Sequence, residues 1–278
     1  MKKIFLLPNI QKDPELAVTR RVADTLMALD ISVAVSSRFQ NKISGSTAME
    51  SPDATVDAII VIGGDGTVID AVPTALSFDL PILGINMGHL GYLTELDPEN
   101  LGSLAHLCDD SFTVEEKMLL EATDDRGTTW ERLALNEVYL MRPDRGIATV
   151  RVRIDEGEWM QYRADGVAVA TPVGSTGYAF SAGGPIISHD VPCLSLFPIC
   201  PHSFFSRALL LNRAVTICLE NASDGVMSLV IDGRELSTLQ SGERAYVRVS
   251  GRSLKMISLS EGRMLSTLIE KMKKIEMI

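Results

Sequence analysis

No G-x-x-x-x-G-K-[ST] segment occurs anywhere in the 278-residue sequence, which excludes a Walker-type phosphate loop. Cysteine pairing at C-x-x-C spacing is also missing. Cys108, Cys193, Cys200 and Cys218 stand apart, so no thiol metal site is expected, and core thiols in a reducing compartment are. Positive charge is scarce: 26 Lys and Arg face 36 Asp and Glu, a formal net charge of -10. Such a balance argues against nucleic acid or an anionic membrane as the main partner. An acidic protein that takes phosphates must do so with local devices such as glycine loops, helix ends, a few basic side chains and a divalent cation. Ahead of Pro8 the apolar run is only Ile4-Phe5-Leu6-Leu7, too short for a signal peptide, so a cytoplasmic protein is expected. From Gly166 to His189 no formal charge occurs, and length alone would permit a membrane span. The glycines at 166, 174, 177, 183 and 184, with Pro172 and Pro185, break a helix there, so the stretch reads as a buried loop system lining a pocket and no membrane partner is expected.

What is present centres on Gly63-Gly64-Asp65-Gly66-Thr67, which follows the apolar run Val56 to Ile62. A β-branched run that stops at closely spaced glycines reads as a buried strand entering a tight turn, with a helix continuing from Thr67 to Leu76. Glycines let backbone N–H groups approach an anion, and the helix N-terminus adds partial positive charge. Asp65 does not suit an anion cradle. A carboxylate among phosphate-binding amides takes a proton from an attacking hydroxyl or helps hold a metal, and phosphoryl transfer follows as the expected reaction. As a dinucleotide fingerprint the loop is incomplete, because Ile69 stands where a third glycine is needed.

The flanking pattern alternates strand and helix: a strand over Ile4 to Leu7, a helix capped by Asp13 with Pro14 at its first position, a strand over Ile31 to Val35, and another over Leu80 to Asn86. Alternation of this kind implies a parallel sheet with ligands beyond the carboxyl ends of its strands. A second glycine loop, Met87 to Leu93, lies at the same end. Pro98 to Cys108 reads as one more helix, after which short alternating runs such as Val150 to Asp155 and Ala245 to Val249 indicate half-exposed antiparallel strands. The expected division is 1–97 as an α/β phosphate-binding domain and 98–255 as a β-rich domain, with the tail 256–278 packing back on the first.

Asn136-Glu137 places an amide and a carboxylate at a strand end, able to grip a base edge and a ribose diol by paired hydrogen bonds; a surface turn accounts for the dipeptide equally well. The run Asp165 to Pro185 collects hydroxyls, glycines and Tyr178 without charge after Asp165, which suits the neutral parts of a nucleotide. His202 has no partner at ligand spacing and is assigned no catalysis. Asp232-Gly233, between two strand-like runs, reads as a hairpin turn rather than a site.

In this order the segments resemble the NAD kinase family: the Gly63 to Thr67 loop, Gly84-Ile85-Asn86 with Gly88 to Leu93, Asn136-Glu137, the run Asp165 to Pro185, and Pro201-His202. The first motif alone is shared with diacylglycerol-type lipid kinases and is close to that of phosphofructokinases. The resemblance implies an α/β N-terminal domain with a parallel sheet, phosphofructokinase- and diacylglycerol-kinase-like, and a β-rich C-terminal domain. It implies transfer of the γ-phosphoryl of ATP to the adenosine-ribose 2'-hydroxyl of NAD, with a divalent metal cation, magnesium, and no dedicated metal-site residue. Asp65 would be the general base, and Gly63, Gly64, Gly66 and Thr67 would meet the phosphates. Asn136 would bind adenine, Glu137 the ribose hydroxyls, and Tyr92 would flank the adenine. Asp165, Thr176, Tyr178 and Ser181 would hold the remaining nucleoside and nicotinamide groups. From its place beside the pocket run, and not from the resemblance, Arg163 reads either as biasing the choice between NAD and NADH or as a surface arginine pairing with a carboxylate. A homo-oligomer, dimer or tetramer, is implied. Gly177 stands where many relatives have Ala, and Met87 where others often have Thr or Arg. A lipid kinase, a non-catalytic nucleotide sensor and a hydride-transfer enzyme remain as competing readings; the acidic balance, the presence of Asp65 and the incomplete dinucleotide loop respectively count against them.

Overall fold

The computed structural model describes residues 1–88, 91–109, 111–144, 146–202, 206–259, 267–270 and 273. The chain divides into two compact units, Met1–Glu116 with Leu254–Ile278, and Lys117–Ser253. Both boundaries of the second unit differ from the 98–255 read from the sequence. The reason at the first boundary is that Leu101, Leu104 and Leu107 are buried in the core of the first unit.

The first unit begins with β1 (Lys3–Pro8), α1 (Ala17–Ala28), β2 (Ser32–Val35), a short α2 (Ser37–Gln40) and a two-residue β3 (Thr47–Ala48). There follow β4 (Ala58–Gly63), α3 (Asp65–Phe78), β5 (Ile82–Asn86) and a 3-10 segment over Pro98–Leu107. Strands run parallel in the order β3-β2-β1-β4-β5. All six residues of β4 are buried, as a near-continuous apolar run in the middle of a covered parallel sheet should be. Each of Ile59, Ile60 and Ile62 contributes about 1.5–3 kcal/mol by that burial. Helix α1 starts later than the sequence indicates. Leu16 lies at φ 54 in the left-handed region and cannot be helical, while the Asp13 carboxylate, 3% exposed, accepts from the N–H groups of Val18 and Thr19 and from the Thr19 hydroxyl. Asp13 still satisfies the helix start, from further away.

The second unit holds the rest of β6 (Thr113–Asp124), then β7 (Glu137–Met141), β8 (Ala148–Ile154), β9 (Met160–Ala164) and β10 (Gly166–Ala170). After a 3-10 turn at Val173–Thr176 and the one-turn helix α4 (Tyr178–Ser181) come β11 (Cys193–Ile199), β12 (Leu209–Asn212), β13 (Ile217–Asn221), β14 (Met227–Ile231), β15 (Arg234–Leu239) and β16 (Arg244–Ser258). Six strands pair antiparallel in the order β12-β11-β10-β7-β14-β15. The start of β16 pairs with β13, which pairs with β8, which pairs with β9. Alternation explains the packing: Val150 and Val152 join Ile217, Leu219, Ala245 and Val247 in one core with Val138, Leu140, Val167 and Val169. The last residues of β16 belong to the first unit, where Met256 pairs parallel with Ile82 and Ile257 enters the core. Beyond Leu259 most of the tail read as helical lies outside the described residues.

Candidate active site

The glycine turn joins β4 to α3, with Gly64 as the helix N-cap and Asp65 as its first residue. Gly63 has no room for a side chain: a Cβ there would lie 2.6 Å from Thr67 Cβ. Thr67 is buried, and its hydroxyl accepts from Asn9 Nδ2 at 2.8 Å, tying the loop after β1 to the start of α3. Gly66 has open space around it.

Asp65 is half-buried and oriented by two backbone donors. Tyr92 N–H donates to Oδ2 at 2.9 Å and Leu93 N–H to Oδ1 at 3.0 Å. The second glycine loop thus holds the carboxylate of the first. Within it, a Cβ on Gly91 would overlap Asp65 Oδ1 and lie 2.7 Å from Thr94 Oγ1. Burial, and then the Asp65 charge, push the Tyr92 phenol above its ordinary range. His89 and Leu90, in the same loop, lie outside the described residues.

In the second unit, Asn136 and Glu137 sit at the start of β7, against the turn that follows β10. Thr171 N–H donates to Asn136 O at 2.9 Å, and its hydroxyl donates to Leu135 O at 2.6 Å. A Cβ on Gly174 would lie 2.7 Å from the Asn136 carbonyl carbon, so only glycine permits this approach. Gly177 is roomier, since its Cβ would lie 3.4 Å from Asn136 Nδ2 and 3.7 Å from Glu137 Oε2. Both side chains of the dipeptide therefore turn toward Gly177, and the Asp165 to Pro185 run packs on Asn136-Glu137. Ser175, fully buried, stitches the run together by donating to Pro172 O and accepting from Ile187 N–H.

Glu137 is 5% exposed, and its Oε2 has no hydrogen-bond partner among the described residues. Burial, and then the neighbouring Asp232 charge, push its carboxyl up to about 8, so it is largely protonated at neutral pH. An unsatisfied buried oxygen costs about 1–3 kcal/mol, which a ligand hydroxyl would recover.

Asp232 shows what the turn signal concealed. It does form the β14–β15 turn, at φ 47 with Gly233 at φ 76. Its carboxylate also accepts from the N–H groups of Leu135 (2.8 Å), Asn136 (2.8 Å) and Glu137 (3.1 Å). Asp232 is the anchor that positions the dipeptide. Burial raises its carboxyl, against the lowering effect of the three N–H donors and of Arg132.

Tyr178 is half-buried, with its ring 5.5 Å from that of Tyr139. Burial raises its phenol first, and the charges of Cys200, Asp165 and Glu137 add to the effect. Asp165 N–H donates to Ile199 O at 2.9 Å, Thr176 is half-buried, and Ser181 and Arg163 are exposed. His202 donates its N–H to Arg163 O at 2.7 Å. Among the described residues no group of three or more His, Cys, Asp or Glu could hold a metal ion.

The chain matches the ATP-NAD kinase N-terminal domain over residues 4–111 and the ATP-NAD kinase C-terminal domain over residues 135–259. It is 34% identical to the NAD kinase of Natranaerobius thermophilus over 98% of each chain, and 37% identical to that of Caldicellulosiruptor saccharolyticus over 78% of this chain and 83% of the relative. Among solved structures it is similar to an Archaeoglobus fulgidus NAD kinase in complex with ATP, with TM-score 0.74 and 25% identity over 98% of each chain. The fold also matches that of yeast NADH kinase complexed with NADH, with TM-score 0.84 and 24% identity over 97% of this chain and 87% of the other. An α/β unit with a carboxylate held between two glycine loops and a β-rich unit with the half-buried Asn136 beside the buried Glu137, matched along nearly the whole chain by these relatives, make this protein a member of the NAD kinase family.

Proposed function

We infer that the protein is an ATP-dependent NAD kinase, transferring the γ-phosphoryl of ATP to the 2'-hydroxyl of the adenosine ribose of NAD and so forming NADP and ADP. The observation that carries the chemistry is Asp65, a carboxylate at the first residue of α3, held by the Tyr92 and Leu93 N–H groups inside a turn of glycines.

A ribose hydroxyl is a weak nucleophile at neutral pH. Asp65 accepts its proton as the oxygen forms a bond to the γ-phosphorus and the bond from that phosphorus to the β-γ bridging oxygen breaks, the electron pair leaving with ADP. Gly63, Gly64, Gly66 and Thr67 bring N–H groups and the α3 N-terminus to the phosphates. Asn136 reads the adenine edge, and Glu137, mostly protonated, can both donate to and accept from ribose hydroxyls. Tyr92 flanks the adenine, and Asp165, Thr176, Tyr178 and Ser181 hold the remaining nucleoside and nicotinamide groups. Arg163, exposed beside this run, biases NAD against NADH. A magnesium ion would accompany ATP and would supply neutralisation of the developing phosphate charge; among the described residues no group of three or more His, Cys, Asp or Glu would hold it.

No helix among the described residues is long and apolar enough to cross a membrane. Family resemblance supports a cytoplasmic homo-oligomer, dimer or tetramer, which sedimentation would test. The activity is tested by incubating the protein with NAD, ATP and Mg²⁺ and measuring NADP. Formation of NADP by the wild type, lost in Asp65→Asn with NAD binding retained, is the expected result. NAD binding without NADP formation by the wild type would make the protein a sensor.

A further inference from the structure

We propose that Lys12 is a phosphate-binding residue for the phosphoryl donor, its ammonium standing over the glycine turn. The inference rests on the kinase reading above and adds a residue to its donor site.

The position is built. Asn9 is fixed twice, its N–H donating to Ile62 O at 2.8 Å and its side-chain amide to Thr67 Oγ1 at 2.8 Å, so the loop after β1 is bound to the end of β4 and the start of α3. Lys12 N–H and Asp13 N–H both donate to Asn9 O, at 3.1 and 2.8 Å, and the buried Asp13 locks the far end to α1. Lys12 is thereby held with its Nζ over Gly64: a Cβ at Gly64 would lie 2.6 Å from that nitrogen. Among the described residues no carboxylate forms an ion pair with it, although Asp and Glu outnumber Lys and Arg in the chain. A flexible cation brought to a glycine N-cap, over the backbone N–H groups of a 14-residue helix, meets the same anion that those groups meet. The glycine also serves the lysine, since the missing side chain at Gly64 is the space its ammonium uses.

Steady-state kinetics with NAD and ATP, together with direct titration of ATP and Mg²⁺ into the protein, test this. Lys12→Ala is expected to raise the KM and the dissociation constant for ATP about ten-fold or more, the loss of one charge-assisted contact, with the KM for NAD within about two-fold. Lys12→Arg is expected to recover most of the loss. Lys42→Ala, which removes an exposed lysine elsewhere, is expected to leave both constants unchanged. Because a side chain at Gly64 would displace Nζ, Gly64→Ala combined with Lys12→Ala is expected to be little worse than Gly64→Ala alone. An unchanged ATP constant in Lys12→Ala, or an equal rise for ATP and NAD, overturns the proposal. Failure of the wild type to make NADP would count against the kinase reading instead, and the ATP titration would still decide for or against Lys12.

Discussion

Gly91 and Asp65 occupy one space: a Cβ on Gly91 would fall on Asp65 Oδ1, which the neighbouring Leu93 N–H holds at 3.0 Å. Gly91 does not have a positive φ, so the demand for glycine comes from the carboxylate and not from the backbone. In Gly91→Ala the carboxylate must move while α3 and β5 stay. We expect kcat for NADP formation to fall by roughly 10²-fold, the effect of displacing a reacting group by about 1 Å. The KM for ATP and the far-UV circular dichroism should change little. A variant with wild-type kcat would show that the orientation imposed by the second glycine loop is irrelevant to turnover.

Asp232 holds the backbone of Leu135, Asn136 and Glu137 by three hydrogen bonds. Asp232→Ala leaves those donors without their partner and places alanine at φ 47, so a loss of stability of about 2–4 kcal/mol is expected, together with a several-fold higher KM for NAD. Asparagine tolerates the left-handed conformation and keeps one acceptor oxygen, so Asp232→Asn should lose roughly half as much. Thermal unfolding and NAD kinetics on the two variants check the order. Equal KM values in both and in the wild type would mean that the anchor does not position the dipeptide.

Two glycines in the uncharged run should respond oppositely. At Gly174 a Cβ would lie 2.7 Å from the Asn136 carbonyl carbon and 2.9 Å from its Cα, both backbone atoms that cannot step aside. Gly174→Ala is therefore expected to cost about 1–3 kcal/mol and to raise the KM for NAD. At Gly177 the nearest atoms would be at ordinary contact distance, 3.4 Å, so an alanine has space. Gly177→Ala should keep the wild-type KM for NAD within about two-fold, because ordinary van der Waals contact costs nothing to make. Melting temperatures and KM values for the pair decide, and a greater loss at 177 than at 174 would contradict the packing.

The legibility of these features in the sequence follows the range of the interactions that make them. β4 and its glycine turn were readable because a buried parallel strand is a continuous apolar run and a phosphate turn needs glycine, both local properties. Asp232 was half legible. Its turn chemistry is local, but its carboxylate serves N–H groups more than ninety residues earlier in the chain, and no spacing rule encodes that. Lys12 was hidden for the same reason, since its place over Gly64 depends on Asn9 reaching Thr67. The start of α1 is not legible in the sequence, because Leu16 adopts a left-handed conformation that its side chain does not announce. At Pro98–Leu107 the 3-10 geometry, with a non-helical Asn100, keeps Leu101, Leu104 and Leu107 on one side, so the apolar spacing resembled an ordinary helix.

The buried carboxyl of Glu137 makes stability depend on pH in a definite direction. In the folded protein it holds its proton up to about pH 8, against an ordinary value of 4.5, because of burial and then of Asp232. Between those values the folded state binds more protons than the unfolded one, so stability falls as pH rises, by at most about 1.4 kcal/mol per pH unit. Below the ordinary value the group contributes no penalty, and above about 8 the penalty is complete. Glu137→Gln is neutral throughout and keeps the shape. The melting temperature of the variant relative to wild type is therefore expected to climb as pH rises from about 5 to about 8 and then level off. Asp232 also has a raised carboxyl, but it is present in both proteins, so the difference isolates position 137 apart from the charge each places on the other. Parallel melting profiles over this range would show that Glu137 is ionised in the folded protein, and would remove the neutral donor and acceptor proposed for the ribose hydroxyls.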